Sequence, residues 1–484
     1  MMLPEKIQAQ LSKLPKAIQQ IVNLVIDFFS RALAKKDARI KELEDQIAKN
    51  SSNSSKPPST DKNKPNPKSL RPKTNKKPGG QQGHKGSTLE MTTSPDHIEQ
   101  HKVTSCQNCQ KDLTLQAIDK IIRRQVVDIP PIKMETTEHQ GEVKTCTCGC
   151  VNTATFPVYV NRYIQYGPRI KGLIVYLQNY QLLPSERTAQ LIEDLFEHRL
   201  STGTIYNTSR QAFHKLDSFE EQLKFVLSAA LVAGFDETGF RVHKTRMWLH
   251  SCSTELYAYY TVHRKRGYDA MQAAGVLPHF KGTAIHDFWK SYFKYSCKHG
   301  LCNAHMLRDL CFITERFDQT WSEQMSKLLC KMKVAKDKAI LKGKKAFSQA
   351  TIHKYRKEFD KIIQQGLDAN PFEPPKIKKR GRTAKSKPRN LVERLQNYAD
   401  EYLLFFTDFN VPFDNNFSER DIRMMKVKQK ISGCFRSMNG AKYFARIRSY
   451  IVTTRKQNVN AFDALCNLFM DNTIPNSLIR AHAE

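Results

Sequence analysis

A multidomain α/β protein, with a mixed-sheet core interrupted by a helical insertion, is predicted by three features of this sequence. Its 484 residues exceed what one hydrophobic core supports, about 250–300 residues. From Leu223 onward, short apolar runs alternate with amphipathic ones, the texture of strands interleaved with helices. Between about 300 and 408 that alternation gives way to helical patterning rich in Lys and Arg. Hydrophobic residues make up 40% and aromatics 10%, enough for substantial cores.

Residues 1–50 are helical in pattern. Leu33, Ile40 and Ile47 recur every seven positions with Leu43 at the other seam, so a short coiled coil is one reading and a solvated helix on its own domain the other. Composition then changes abruptly over 51–88. Nine Lys/Arg and one acid lie between Lys56 and Gly86, among Pro, Ser and Gly. Too little apolar surface is present there to offset the entropy of folding, which predicts a flexible basic linker suited to phosphate contacts.

Residues 89–160 contain Cys106-Gln107-Asn108-Cys109 and, 36 residues later, Cys146-Thr147-Cys148-Gly149-Cys150. Two close cysteine pairs suit tetrahedral Zn2+, in which thiolates stand in for a core too small to be stable alone. Cys106, Cys109, Cys146 and Cys148 are the expected ligands, with Cys150 an alternative to Cys148. Val126, Val127 and Ile129 point to a strand within this module.

Helices with a turn are expected over 161–222. Pro184-Ser185-Glu186-Arg187 opens an amphipathic segment, and Ser201 caps a second one. That layout is of helix-turn-helix type and sets Thr204, Asn207 and Arg210 to reach DNA; a plain helical hairpin is the competing reading.

Residues 223–430 hold the main core. A strand and turn are expected at Leu231–Gly239, then strands at 246–250 and 256–262, a helix from Tyr268 to about Val276, and a strand ending at Asp287. Strand, strand, strand, helix, strand, helix is the order of a ribonuclease-H-like core. Asp236 and Asp287 each close an apolar run, and Glu419 lies at what looks like a capped helix start, Val411–Arg420. Carboxylates placed beside a core are costly unless a cation compensates them. Three that converge make a hard, all-oxygen site suited to two Mg2+ ions and to phosphodiester chemistry. Glu237 is the confounding neighbour, but adjacent strand residues face opposite sides. Helical residues 431–484 complete the chain.

The charge balance agrees with a polyanionic partner: 78 Lys+Arg against 47 Asp+Glu, net +31. Eight Lys/Arg and no acid occupy 376–389, where Lys378, Lys379, Arg380 and Arg382 are expected to touch phosphates. No apolar run is long enough for a membrane helix and the N-terminus has no signal layout, so a cytoplasmic, nucleoid-associated bacterial protein with reduced cysteines is expected.

Several motifs together resemble the large transposase of the insertion-sequence-66 family. They are Asn53–Ser59, Pro78–Gly86, the cysteine module, Tyr166-Gly167-Pro168, Leu183–Thr188, Cys302–Leu310, Pro412–Arg420 and Lys430–Ser437. The resemblance implies a DNA-cutting and DNA-joining enzyme whose acidic triad would be Asp236, Asp287 and Glu419. It also implies a helical insertion between the second and third acids, and the 132 residues separating them leave room for one. Cys302 and His305, one helical turn apart, would orient that insertion. Asn416, Arg420 and Arg423 would hold phosphates beside Glu419, and Asn415 would do so or simply cap the helix. The implied partners are the element's ends, target DNA, further copies of this chain and small proteins of the same element. Two departures stand out: Cys-Thr-Cys replaces a clean C-x-x-C, and Asp309 stands where Glu is also familiar. A DNA-binding protein without catalysis is the alternative, and retention of all three acids argues against it.

Overall fold

The computed structural model describes Ala9, residues 11–54, Lys56, Asp61, Gly83, Gly86 and residues 88–372 and 385–470. The chain divides into two compact units: one of residues 1–68, 139–191 and 200–484, the other of 69–138 and 192–199.

In the larger unit, the first helix, α1 (Lys16–Ile47), is a single 32-residue element. Leu33, Ile40, Leu43 and Ile47 are all exposed along it. Its C-terminal end is tied down by Arg316, which pairs with Glu44 and Asp45 at 2.7 and 3.0 Å. A short hairpin, β1 (Val143–Thr145) and β2 (Val151–Thr153), follows, and then α2 (Pro168–Val175), extended by a π-helical turn at Tyr176–Tyr180. Next come α3 (Ser185–Phe196), whose residues from Ile192 on belong to the smaller unit, and then α4 (Thr202–Lys215) and α5 (Asp217–Ser228).

A five-stranded mixed sheet forms the centre. It is built of β3 (Val232–Val242), β4 (Thr245–Ser253), β5 (Ala258–His263), β6 (Thr283–His286) and β7 (Lys298–Leu301), in the spatial order β5-β4-β3-β6-β7. The first three strands are antiparallel neighbours, whereas β3, β6 and β7 run parallel. Helix α6 (Tyr268–Ala274) carries the chain from β5 towards β6.

Two features of the sheet differ from expectation. Asp236 is the fifth residue of an eleven-residue strand, not the last before a turn. Thr238 and Gly239 stay extended because β4 pairs with every residue from Gly234 to Val242, and the chain reverses only at His243-Lys244, with His243 at φ +50°. The parallel neighbour, however, pairs only as far as Gly234. The second difference is β7, four residues with no alternation to mark them in the sequence, which form a strand because β6 offers a parallel edge.

The helical insertion comprises α7 (Asn303–Phe317), α8 (Thr320–Leu341), α9 (Gln349–Asp368), α10 (Lys387–Asn397) and α11 (Ala399–Thr407). Its core of Met306, Leu310, Trp321, Met325, Phe359 and Leu395 is continuous with Ile285 and Leu301 on the sheet. The chain then returns through α12 (Asn416–Ser432) and α13 (Met438–Lys456) to α14 (Ala461–Met470). Phe235, Ala233 and Ala284 face a cluster with α5 and α13, while Phe240, Leu249 and Tyr260 pack against Ile422, Met425 and Phe444. Helix α13 lies along β5, where Ser449 and Thr453 hydroxyls accept from the backbone N–H groups of Tyr260 and Ala258. No helix among the described residues is long and apolar enough to cross a membrane.

In the smaller unit, Cys106 and Cys109 bracket a tight turn beside an isolated bridge between Ser105 and Asp112. The strand expected around Val126, Val127 and Ile129 is absent. All three side chains are exposed, and the nearby tie is Gln125, whose side-chain amide bonds both backbone groups of Thr92. A lone apolar triplet without a pairing edge does not make a strand.

Candidate active site

The parallel register brings Asp236 and Asp287 to the same end of the sheet. Gly234 pairs with Ile285, and each aspartate lies two residues beyond, Asp236 within β3 on the face of Gly234 and Asp287 just past the end of β6. Helix α12 closes over that face. Gly234 permits the approach: a Cβ there would stand 2.2 Å from both Asn415 Oδ1 and Ser418 Oγ. The third carboxylate, Glu419, follows Ser418 and is nearly buried, its side chain 13% exposed.

Asn415 is not the cap suggested by its position. Its side chain makes no capping bond, and the backbone N–H of Asn416 donates to Asp414 Oδ1 instead. The Asn415 amide reaches across to donate to Phe235 O at 2.8 Å, stitching α12 to β3.

The three acids share one electrostatic environment. Burial, together with the charges of Glu237, Glu419 and Asp287, pushes the Asp236 carboxyl well above the usual range. Asp287 is raised to about 6 by burial and by Glu237, against the opposing pull of His305 and Arg266. Such a cluster favours a cation.

Glu237 illustrates the alternation of strand faces. It points away from α12, accepting from Arg266 Nε at 2.7 Å and from the Tyr292 hydroxyl at 2.6 Å. Arg266 also lies 3.8 Å from Asp287, and its guanidinium is stacked over Trp289 and Trp248, 4.1 and 5.1 Å from the ring centres. Sequence reasoning missed this arginine. The one local signal was the basic run Arg264-Lys265-Arg266 closing a strand, which reads equally as a solvated loop.

Around Glu419, the Cys302 thiol approaches Oε1 at 3.8 Å, His305 Nδ1 lies 3.5 Å from the same oxygen, and Arg308 lies 3.8 Å from Oε2. Cys302 also accepts from the Asn415 backbone N–H. The pair at the start of α7 therefore reaches the third acid directly, and Arg308 joins it.

These acids, 51 and 132 residues apart in sequence, all fall within one family match. Residues 163–443, more than half of the chain, match the model described as the Transposase IS66 family. The chain belongs to the IS66 transposase family. Residues 2–90 match a family of unknown function, DUF6444. No curated protein matches the chain.

The remaining residues expected to serve this IS66 transposase are distributed as follows. Asn416, Arg420 and Arg423 are exposed along one face of α12, beside Glu419. On α4, Ser201 Oγ accepts from Thr204 N at 3.0 Å, a serine cap. Asn207 and Arg210 are exposed, while the Thr204 hydroxyl, half-buried, is shared with Ser201 Oγ at 2.9 Å. The opposite face, with Ile205, Thr208 and Ala212, is buried. Lys378, Lys379, Arg380 and Arg382 lie outside the described residues, as does most of the basic linker.

Each cysteine group forms a tight turn of its own. The Cys106 N–H donates to Lys111 O, and Gln110 N–H to Cys106 O. Backbone N–H groups of Cys109 and Asn108, with the Cys109 side chain, lower the Cys106 pKa. In the second group, the N–H of Cys148 and its thiol lower that of Cys146. Gly149, at φ +84°, lets the turn close with Cys146 N–H on Cys150 O.

Proposed function

We propose that this IS66-family protein cuts DNA at the ends of its mobile element and joins the freed ends to target DNA, on a ribonuclease-H-like acidic site made by Asp236, Asp287 and Glu419. The reading is supported by the place of Asp236 and Asp287 where the β3–β6 pairing ends, with α12 and Glu419 packed over Gly234 beside them, and by burial and neighbouring carboxylates that hold the Asp236 and Asp287 carboxyls above their usual range unless a cation compensates them.

The donor set fits magnesium: it is all oxygen, hard and multiply anionic. Bound there, Mg2+ supplies Lewis-acid activation of the attacking oxygen and charge stabilisation for the departing one. Asp236 and Asp287 would be the principal ligands of two such ions. Glu419 completes the site from α12, its carboxylate oriented by Cys302, His305 and Arg308. Asn416, Arg420 and Arg423 offer a polar and cationic face on which the scissile strand's phosphates can lie. The reaction is direct transfer between oxygens, with no covalent intermediate on the protein. Helix α4 reads the element's ends through Thr204, Asn207 and Arg210, and the exposed seam of α1 fits pairing with a second copy.

Within each cysteine turn, N–H groups aimed at sulfur favour the thiolate that a structural zinc requires, which supports Cys106 with Cys109, and Cys146 with Cys148, as zinc-ligand pairs. Cys106→Ser is expected to lower the zinc content of freshly reduced protein by one ion per chain while leaving nicking of pre-bound DNA intact. Unchanged zinc by elemental analysis would remove the module.

The basic stretches supply affinity rather than sequence preference. Neutralising Lys73, Lys76 and Lys77, or Lys378, Lys379, Arg380 and Arg382, should weaken binding to end-bearing and random duplexes alike. The slope of log affinity against log salt should fall by about 0.9 for each phosphate that is no longer neutralised. Binding curves at several salt concentrations measure it, and an unchanged slope would show that these side chains do not touch DNA.

A further inference from the structure

Cys302, at the N-cap of α7, His305, in its first turn, and Glu419, on α12, bring a sulfur, a nitrogen and an oxygen together. Cys302 Sγ, His305 Nδ1 and a Glu419 carboxylate oxygen lie within 4.8 Å of one another. Two of the three separations are 3.5 Å (Nδ1 to Oε1) and 3.8 Å (Sγ to Oε1). Tetrahedral zinc with bonds of about 2.0–2.3 Å places its ligand atoms roughly 3.3–3.8 Å apart, so the cluster has close to the right aperture.

The burial is equally telling. Cys302 is 2% exposed, and His305 Nδ1 is shielded from solvent yet makes no hydrogen bond to any described residue despite its nearness to Glu419. A buried imidazole nitrogen left unsatisfied is costly, and a cation among the three atoms would satisfy it. The surroundings are already those of a ligand set. The Asn415 N–H donates to Sγ at 3.2 Å, which partly offsets the burial and the Glu419 charge that push the thiol up to about 12, and Arg308 approaches Oε2 while Oε1 faces Sγ and Nδ1.

We propose that Cys302 Sγ, His305 Nδ1 and Glu419 Oε1 form a binding site for a thiophilic divalent cation of zinc's chemical class, with three protein ligands and a fourth position open. On binding, the Cys302 thiol proton passes to solvent and no electrons are exchanged. The site is distinct in chemistry from the neighbouring aspartates, because sulfur and imidazole select a softer ion than an all-carboxylate set does. Its consequence for catalysis, which rests on the function proposed above, is that an ion here draws Glu419 away from the aspartates, so zinc would oppose magnesium.

The binding itself is tested without reference to DNA. Full-length protein carrying Cys106→Ser and Cys146→Ser, to silence the N-terminal thiols, is titrated with Co2+ as the probe. The expected result is one tightly held ion per chain, with a near-ultraviolet thiolate-to-cobalt absorption band that disappears in Cys302→Ser. His305→Ala and Glu419→Gln should each weaken cobalt affinity at least about tenfold. A spectrum without a thiolate band, or one that persists in Cys302→Ser, would overturn the site. Should Cys302→Ser lose its helical circular dichroism, the partly exposed His305 decides the matter: unchanged affinity in His305→Ala overturns it.

Discussion

Asp236→Asn, Asp287→Asn and Glu419→Gln are each expected to lower magnesium-dependent nicking of an end-bearing duplex by at least about 10²–10³-fold, the loss that follows removal of one electrostatic contributor to a transition state. Each change keeps the side chain's shape and removes its charge. Asp236 and Asp287 each lie two residues past the last β3–β6 pair, and Glu419 is presented from a helix stitched to β3. Affinity for the duplex should stay within a few-fold, because it comes from Lys and Arg side chains elsewhere. Nicking assays beside gel-shift titrations separate the two. Full cleavage by any one variant would take that residue out of the acidic site, and a parallel loss of binding would place it in the DNA interface instead.

What the sequence disclosed is what local patterns encode. The apolar run to Asp287, the strands after Asp236, the serine at Ser201 and the helical texture of the insertion each follow from neighbours within a few positions. The misses all concern partners far away in the chain. Strand β7 exists because β6 offers it an edge. Gly234 is required because α12, some 180 residues later, passes within contact of its Cα, which nothing around Gly234 announces. Asn415 looked like a cap because caps are read from the next three residues, whereas its amide is used by a strand. The pairing of Cys302 and His305 was visible from their spacing, but the third atom set that gives it chemical meaning belongs to Glu419, 117 residues beyond Cys302.

Arg266→Gln should destabilise the fold and shift its pH dependence in a calculable direction. The Glu237 side chain is 1% exposed, with Arg266 as its cation and the Tyr292 hydroxyl as its other donor. Removing one partner of a buried pair typically costs about 3–5 kcal/mol, and the partial exposure of Arg266 argues for the lower end. The denaturant midpoint should fall accordingly, and Arg266→Met with Glu237→Gln should recover much of the loss, since the double change leaves no buried charge without a partner. The titration of Asp287 gives the second readout. Its pKa is raised to about 6, so the folded protein holds that proton more tightly than the unfolded chain does. The stability so contributed is present at acid pH and is lost as pH rises through about 6, whereas cation binding requires the ionised form and weakens as pH falls through the same value. Arg266 opposes the rise and Glu237 augments it. Arg266→Gln should therefore move the onset of magnesium binding to higher pH and Glu237→Gln to lower pH, with the double variant between them. Magnesium titrations from pH 5 to 8 measure the order. Coincident profiles for the single variants would show that Arg266 acts on Glu237 alone and has no influence on the acidic site.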